Sequence, residues 1–551
     1  MKKQILLTIL FLTVMNYCSY SQNWLWAISG GGANPDGAGS ICQDQNENIY
    51  VTGNVQGPTA YFQSDSFSVN GFNDIFLAKY DANGNEIWVK HFGGSYDNMF
   101  NQKVENGQVV IYNPTTNSIY VVGIFIGSCT IDSITLTAFG ASDQQIFIAK
   151  FDLNGNCVWA KSAGSAGDDY GISLTSSASG KIFISGTTKY TATFDTISIS
   201  NGGFLAMYDD NGNCQWVKNI FNGTNNITGA AGSPMSLKIY NNDIFMVGQK
   251  SSDSVYVDTI LFTGTNYYPD ILARFDSLGN VKWAKQLGGP IAYYGYLALD
   301  NIGNLYYGSQ FSGGYAIFDT DTIFSTGTTD FFFVKYDQNG NFQWVRQCNA
   351  TINARAIGSS SDANGNVYLT GSFSGNATFG TFNVSANTSE DMFVARYNSN
   401  GDCLGIRHAG KSVGYDVATD GNGSCIIVGN FSNSMSLGST TLLSNGYDDI
   451  FVAKIDVITG VGEESRKMSN QLFIYANPTT GKCNITIPDE FQNEKHLILY
   501  IYENSGKLIQ QQSIETDSEK FRMNLEEEAK GIYNIVLSNG KKNYNGKIIF
   551  E

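Results

Sequence analysis

At 551 residues the chain is longer than one hydrophobic core usually organises, so it holds several domains or an array of repeats. With 60 Gly, 31 Tyr, 35 Phe, only 8 Pro and 15% charged residues, it describes short aromatic strands joined by tight turns, which excludes a helical bundle and predicts an all-β protein. A formal net charge of −16 offers no clustered basic surface for phosphate; it excludes a nucleic-acid partner and suits solubility outside the cell.

Residues 1–21 read as a signal peptide, with Lys2 and Lys3 as the charged start, Ile5 to Val14 as the apolar segment and Ser19-Tyr20-Ser21 at the cleavage site, so the mature chain is expected to begin at Gln22. Met15-Asn16-Tyr17 is a poor lipobox for Cys18. No later apolar stretch approaches the roughly 20 residues of a membrane helix, and no membrane span is expected. Eight of the 9 Cys lie beyond the cleavage point, which permits disulfides without showing any. Cys157, Cys214 and Cys403 share one repeat position, too far apart to pair with each other, and read as small apolar filler.

A repeat dominates Asn23 to Val457. One element reads Asp74-Ile75-Phe76-Leu77-Ala78-Lys79-Tyr80-Asp81, then Ala82-Asn83-Gly84-Asn85, then Glu86-Ile87-Trp88-Val89-Lys90. It recurs with its closing Asp or Asn at Asp152, Asp209, Asp276, Asp337, Asn398 and Asp456, at separations of 71, 57, 67, 61, 61 and 58 residues. A second element precedes it in each unit, as in Asp362 to Gly371 and Asp44 to Gly53. Both are apolar runs flanking an Asn-Gly turn, so each unit predicts two hairpins and four strands. Seven four-stranded units of this length predict a seven-bladed β-propeller over residues 22–457.

Six of the 7 Trp occupy one repeat position, Trp26, Trp88, Trp159, Trp216, Trp283 and Trp344, and Gly405 takes the seventh. Trp26 opens the mature chain, whereas no Trp strand follows Asp449 to Asp456. The strand Trp24 to Ser29 is therefore expected to complete the last blade and close the ring. Lys79, Lys150, Arg274, Lys335, Arg396 and Lys454 recur one residue before the end of the preceding strand, and their stems are expected to cover the cross-strand Trp. The units Gly365 to Gly371, Asp391 to Tyr397 and Asn154 to Lys161 resemble the SBBP-type β-propeller repeats of bacterial surface and secreted proteins. That resemblance implies a fold and carries no catalytic residue.

Ile458 to Asn470 (residues 458–470) reads as a polar linker, and residues 471–551 as a separate small β-sandwich of immunoglobulin-like type, with strands at Cys483 to Ile487, Leu497 to Glu503, Gly531 to Leu537 and Gly546 to Phe550 and a turn at Asn504 to Lys507. Ile474-Tyr475-Ala476-Asn477-Pro478-Thr479-Thr480-Gly481, Leu499 to Tyr502, Gly506-Lys507, Gly531-Ile532-Tyr533 and Lys547 to Phe550 resemble the type A sorting domain of the type IX secretion system of Bacteroidetes. Ala476 departs from the family's usual Pro. The resemblance implies that the type IX machinery is a partner, and that the protein is secreted or attached to the outer surface.

The chemistry-bearing residues follow the repeat. His91, His408 and His496 assemble no Ser/His/Asp or metal set by spacing, so no catalytic residue and no enzyme activity is expected. No cofactor is called for; turns such as Asp81 to Asn85 carry oxygen ligands at alternate positions as calcium loops do, but lack a distal bidentate carboxylate, and Asp capping its own backbone with Gly at positive φ explains them better. Where one unit passes to the next, Gly-rich loops hold Asp36, Asp97, Asp169 and Asp416, with Tyr96, Tyr170, Tyr294 and Tyr415 nearby. At the mouth of a propeller channel these would suit a cation, a glycan or a protein loop, or the Asp residues cap tight turns. The function expected is recognition, adhesion or scaffolding; the alternative is a polysaccharide-active enzyme, which would show two non-repeated carboxylates in one pocket.

Overall fold

A computed structural model describes residues 24–95, 104–223, 232–264, 269–288, 295–312, 314–420, 423–461, 472–475, 479, 481–488, 491, 494, 496–503, 507–514, 520–525 and 528–550. The expected signal peptide, the Ala476-Asn477-Pro478 segment and the turn at 504–506 lie outside the described residues. The chain divides into two compact units, Met1–Glu464 and Ser465–Glu551. Both are built of strands, and among the described residues no helix is long and apolar enough to cross a membrane.

In the first unit the repeat folds as four-stranded antiparallel meanders. The first comprises Gly37–Gln43, Ile49–Gln56, Asn73–Tyr80 and Glu86–Phe92. The second comprises Asn106–Asn113, Ser118–Ile126, Gln144–Phe151 and Cys157–Gly164, and the third Tyr170–Ser176, Ile182–Thr188, Gly202–Tyr208 and Cys214–Gly223. The fourth comprises Gly232–Tyr240, Asp243–Lys250, Asp270–Phe275 and Val281–Gln286, and the fifth Tyr296–Leu299, Leu305–Ser312, Thr329–Tyr336 and Phe342–Ala350. The sixth comprises Asn353–Ser361, Val367–Ser374, Asp391–Tyr397 and Cys403–Gly410. The seventh takes Ser412–Thr419, Cys425–Leu437 and Thr440–Ile455, and its fourth strand is Trp24–Gly30, antiparallel to Thr440–Ile455 with Trp26 opposite Lys454. First strands of successive meanders pack side by side, and that of the first also packs on that of the seventh.

The repeated turn shows why the strands stop where they do. Asp81 Oδ1 accepts the N–H groups of Asn83 (2.9 Å) and Asn85 (2.8 Å), and its Oδ2 accepts the Asn85 amide (2.8 Å). Gly84 sits at φ +80°, in the left-handed region where a side chain is strained. The bare Gly surface receives a Trp from the neighbouring meander: a Cβ on Gly84 would lie 2.7 Å from the Trp26 ring, and one on Gly212 2.7 Å from that of Trp159. The indoles also donate to turn carbonyls, Trp26 to Ala82 (3.1 Å), Trp88 to Leu153 (3.3 Å), Trp159 to Asp210 (2.9 Å), Trp283 to Gln338 (3.2 Å) and Trp344 to Ser399 (3.3 Å).

The recurrent cations stand opposite the Trp as expected, with Arg346 stacked on Trp344 at 4.9 Å, and those of the third strand also take up the aromatic of the second. Lys79 stands between Tyr50 and Trp88 in the sheet, and its ammonium lies over the Tyr50 ring, 5.2 Å from the centroid, while donating to Leu153 O (3.0 Å). Lys150 lies over Tyr120, Arg274 over Phe245, Lys335 over Tyr306 and Arg396 over Tyr368 in the same way. The third strand has a neighbour on each side, and the aromatic of the second strand, held rigid in the core, offers the face.

Two further features are absent from the sequence pattern. Short hairpins such as Ser128–Ile131 with Ile134–Thr137 leave the second strand and touch the fourth strands, Thr130 bridging to Gly93 and Asp132 capping the Cys157 N–H (2.6 Å). At the position without a Trp, Gly405, the chain's own Gly460–Val461 pairs parallel to Cys403–Gly410, with Ile458 fully buried and Arg407 donating to Gly460 O (3.0 Å) and Thr459 O (3.3 Å). The opening of the segment read as a linker is thus held against the sixth meander.

The second unit has two sheets around one core. Phe473–Tyr475, Lys482–Thr486 and Lys520–Asn524 form one; Leu508–Ile514, Leu497–Glu503, Gly531–Ser538 and Asn543–Phe550, in that spatial order, form the other. Ile485, Leu499, Ile501, Ile535 and Ile548 meet between them.

Candidate functional site

The loops joining one meander to the next are Gly-rich and expose backbone N–H groups, which buried carboxylates collect. Asp36 accepts from Gly32 N (2.6 Å) and Gln56 N (2.7 Å), tying the loop to the end of the second strand. Asp169 does the same with Ser165 N (2.5 Å) and Lys189 N (2.9 Å), and adds the Ser165 hydroxyl (2.9 Å). In the second meander Glu105 has this place, accepting from Gly94 N (3.1 Å) and Ile126 N (3.0 Å). Burial drives all three carboxyls up, to about 7 for Asp36 and about 8 for Glu105, against the lowering effect of the N–H donors.

Asp416 stands apart from that set. It lies within the strand Ser412–Thr419, where its Oδ2 accepts the Ser40 hydroxyl (2.8 Å) and Ile41 N (3.1 Å) of the first meander; burial raises its carboxyl, and the Lys238 charge opposes the rise. Tyr170 is 36% exposed and donates to Gln144 Oε1 (2.9 Å), and Tyr415, beside Asp416, is half-buried. Asp97, Tyr96 and Tyr294 lie outside the described residues. Asp36 and Asp416 thus both stand at the junction of the seventh and first meanders and Asp169 at that of the second and third, and among the described residues no three His, Cys, Asp or Glu side chains stand together as a metal site.

A second carboxylate position escaped the sequence reading. Near the start of the third strand stand Asp74, Asp270, Asp330 or Asp391, with Gln145 in the second meander and Asp449 further along the longer strand Thr440–Ile455, and all five Asp are fully buried. Each has its own partners. Asp74 meets His91 Nδ1 (2.7 Å) and Asp391 meets His408 Nδ1 (2.9 Å). Asp270 accepts the Tyr307 hydroxyl and, pushed up to about 7 by burial, bridges two meanders, while Asp330 accepts Ala350 N (2.8 Å) and Gln347 Nε2 (2.9 Å). For Asp391 burial raises the carboxyl, but His408, Asn387 and Thr388 outweigh it and hold it below the usual range. The signal was present in the sequence, because Asp heads the repeated motif itself, but period-2 alternation marks it only as a strand end.

Residues 473–551 match the family described as secretion system C-terminal sorting domain. The tail is a secretion sorting domain. An uncharacterized WD repeat-containing protein of Acanthamoeba polyphaga mimivirus is 25% identical over 544 residues; the match covers 78% of this chain, and the chain spans 38% of the length of that relative. Among solved structures, the Neurospora crassa Pan2 WD40 domain is similar at 10% identity and a TM-score of 0.39, over 79% of this chain and 96% of that one. Polysaccharide lyase Uly1 is similar at 9% identity and a TM-score of 0.41, over 80% and 92%. Within the sorting domain, Ile474, Tyr533, Ile548 and Phe550 of the motifs noted in the sequence are buried in the core. Those motif residues thus contribute to the domain's core.

Proposed function

We propose that the first unit is a seven-bladed β-propeller, sealed by its amino-terminal strand, which the sorting domain sends through a type IX secretion system to act in recognition or adhesion outside the cell. The match of residues 473–551 is the observation that carries the export half of this reading. The recognition half draws support from the rigidity of the repeat: interlocked Trp and Gly surfaces fix the sheets, and the loops between them are free to vary. Tyr170 and, from the strand Ser412–Thr419, Tyr415 and Asp416 are the contact residues proposed for a glycan or protein ligand, with Asp36 and Asp169 shaping the neighbouring loops. Calcium, where a ligand needs it, would enter with that ligand.

Two measurements test the reading. In a host with a type IX system, the full chain is expected in the culture fluid or on the surface, and a chain lacking residues 473–551 in the periplasm; equal export of both defeats the export half. The purified full chain, screened on a glycan and surface-protein panel with and without calcium, is expected to bind one class and to lose binding on Tyr170→Ala with Tyr415→Ala. Turnover of a polysaccharide without retention would instead favour an enzyme.

A further inference from the structure

The seam where the chain closes on itself differs chemically from its internal counterparts. A Cβ on Gly31 would lie 2.2 Å from Asp36 Oδ2 and 2.9 Å from Asp449 Oδ1, so the two oxygens border one small space. At the internal seam a Cβ on Gly164 would lie 2.5 Å from Asp169 Oδ2 and 3.0 Å from Gln145 Nε2. There the Gln145 amide donates to Asp169 Oδ2 at 2.9 Å. Asp449 occupies the Gln145 position and Asp36 the Asp169 position, but a carboxylate has no hydrogen to give.

Asp449 is fully buried, its Oδ2 accepts Asn445 N (2.8 Å), and its Oδ1 has no partner. Asp36 already accepts at both oxygens. The groups facing the pair are the Asp448 carboxylate on the same strand as Asp449, the neutral side chains Asn445 and Asn430, and the N–H groups of Gly32 and Gln56. The related acid pair at Gly93, Asp74 with Glu105, has the His91 ring against it, Nδ1 2.7 Å from Asp74 Oδ2. The closing seam has no such ring among these groups, and a bare buried carboxylate oxygen facing another carboxylate is costly.

We propose that Asp449 Oδ1 carries a proton and donates it to Asp36 Oδ2, so that the contact closing the ring is a shared-proton acid pair that loosens as the medium turns alkaline. The proton supplies the hydrogen that the Gln145 amide supplies internally. Burial first, and after it repulsion by Asp449 and Asp448 for Asp36 and by Asp448 for Asp449, push both carboxyls up to about 7. A folded-state value raised above the ordinary 3.8 gives stability that is complete in acid and is lost as pH rises towards about 7. The amino-terminal strand is therefore held most firmly in acidic surroundings.

The inference rests on closure by Trp24–Gly30, and the test separates the two. Hydrogen exchange of the full chain is measured at about pH 5 and about pH 8, corrected for intrinsic rates, on Trp24–Gly30 and on the internal fourth strand Cys157–Gly164. Expected is a rise of about tenfold or more in the opening equilibrium of Trp24–Gly30 and less than about threefold in the control. Asp449→Asn, or Asp449→Gln if that variant folds better, is expected to flatten the rise, whereas Asp36→Asn opens the seam at both pH values by losing the acceptor of one of its two N–H groups. No rise in the wild type, or an undiminished rise in Asp449→Asn or Asp449→Gln, overturns the shared proton. Exchange of Trp24–Gly30 at the free-chain rate at both pH values overturns closure itself.

Discussion

Replacing Trp26 by Ala removes the side chain through which the amino-terminal strand grips the first meander. The ring is half-buried, lies against Gly84 and donates to Ala82 O at 3.1 Å. Full burial of a Trp is worth about 3–5 kcal/mol on truncation, so half of it is about 2, and the hydrogen bond adds about 1. The expected loss is about 3 kcal/mol, on the order of a hundredfold in the opening equilibrium of that seam. Trp216 is a built-in control, since its ring lies on Gly279 but its indole N–H has no acceptor, and Trp216→Ala should cost about 1 kcal/mol less. All 7 Trp precede residue 345, so urea unfolding followed by Trp fluorescence reports the first unit without the sorting domain. A loss below about 0.5 kcal/mol for Trp26→Ala would refute the grip, as would a loss no larger than that of Trp216→Ala.

Asp169→Ala strips the acceptor from Ser165 N, Lys189 N and Gln145 Nε2 in a fully buried site, and is expected to cost about 2–4 kcal/mol in the same urea assay, with Asp169→Asn intermediate. Gly405→Trp restores the missing repeat residue where a Cβ would already lie 2.6 Å from Gly460 N, so Ile458 to Val461 should leave the sheet; limited proteolysis should then cut near Thr459 in the variant and spare the wild type. At Asp81 burial pushes the carboxyl up, but the Asn85 and Asn83 donors hold it below the usual range, so its turn is stable above the ordinary carboxylate value and weakens as pH falls through its own. Asp81→Asn should therefore flatten part of the acid limb of a thermal-melting profile.

Much of the fold was legible because the repeat states its turns twice per unit. Asp81, Asn83 and Gly84 form a turn that is satisfied by its own side chains, so its local sequence is enough to define it. The short hairpins were illegible for the opposite reason: Ser128 to Thr137 has four-residue strands with Thr130 facing Thr135 across them, and its stability comes from contact with fourth strands far along the chain. The loop carboxylates were visible as Asp in Gly-rich segments, but spacing could not distinguish a loop cap such as Asp169 from a strand residue such as Asp416. Glu105 was hidden because a longer loop separates it from Gly94, and Asp449 because only its missing partner marks it out.

Closure by the amino-terminal strand is tested most directly by a cross-link between its partners. Ile28 and Val452 are paired across the sheet, and paired strand positions lie within disulfide reach. In a chain carrying Ile28→Cys and Val452→Cys, oxidation followed by peptide mapping should find the two ends of the first unit joined at these positions, with near-complete yield. Two thiols that stay free, or that link to other cysteines, would mean that the ring is not closed by this strand.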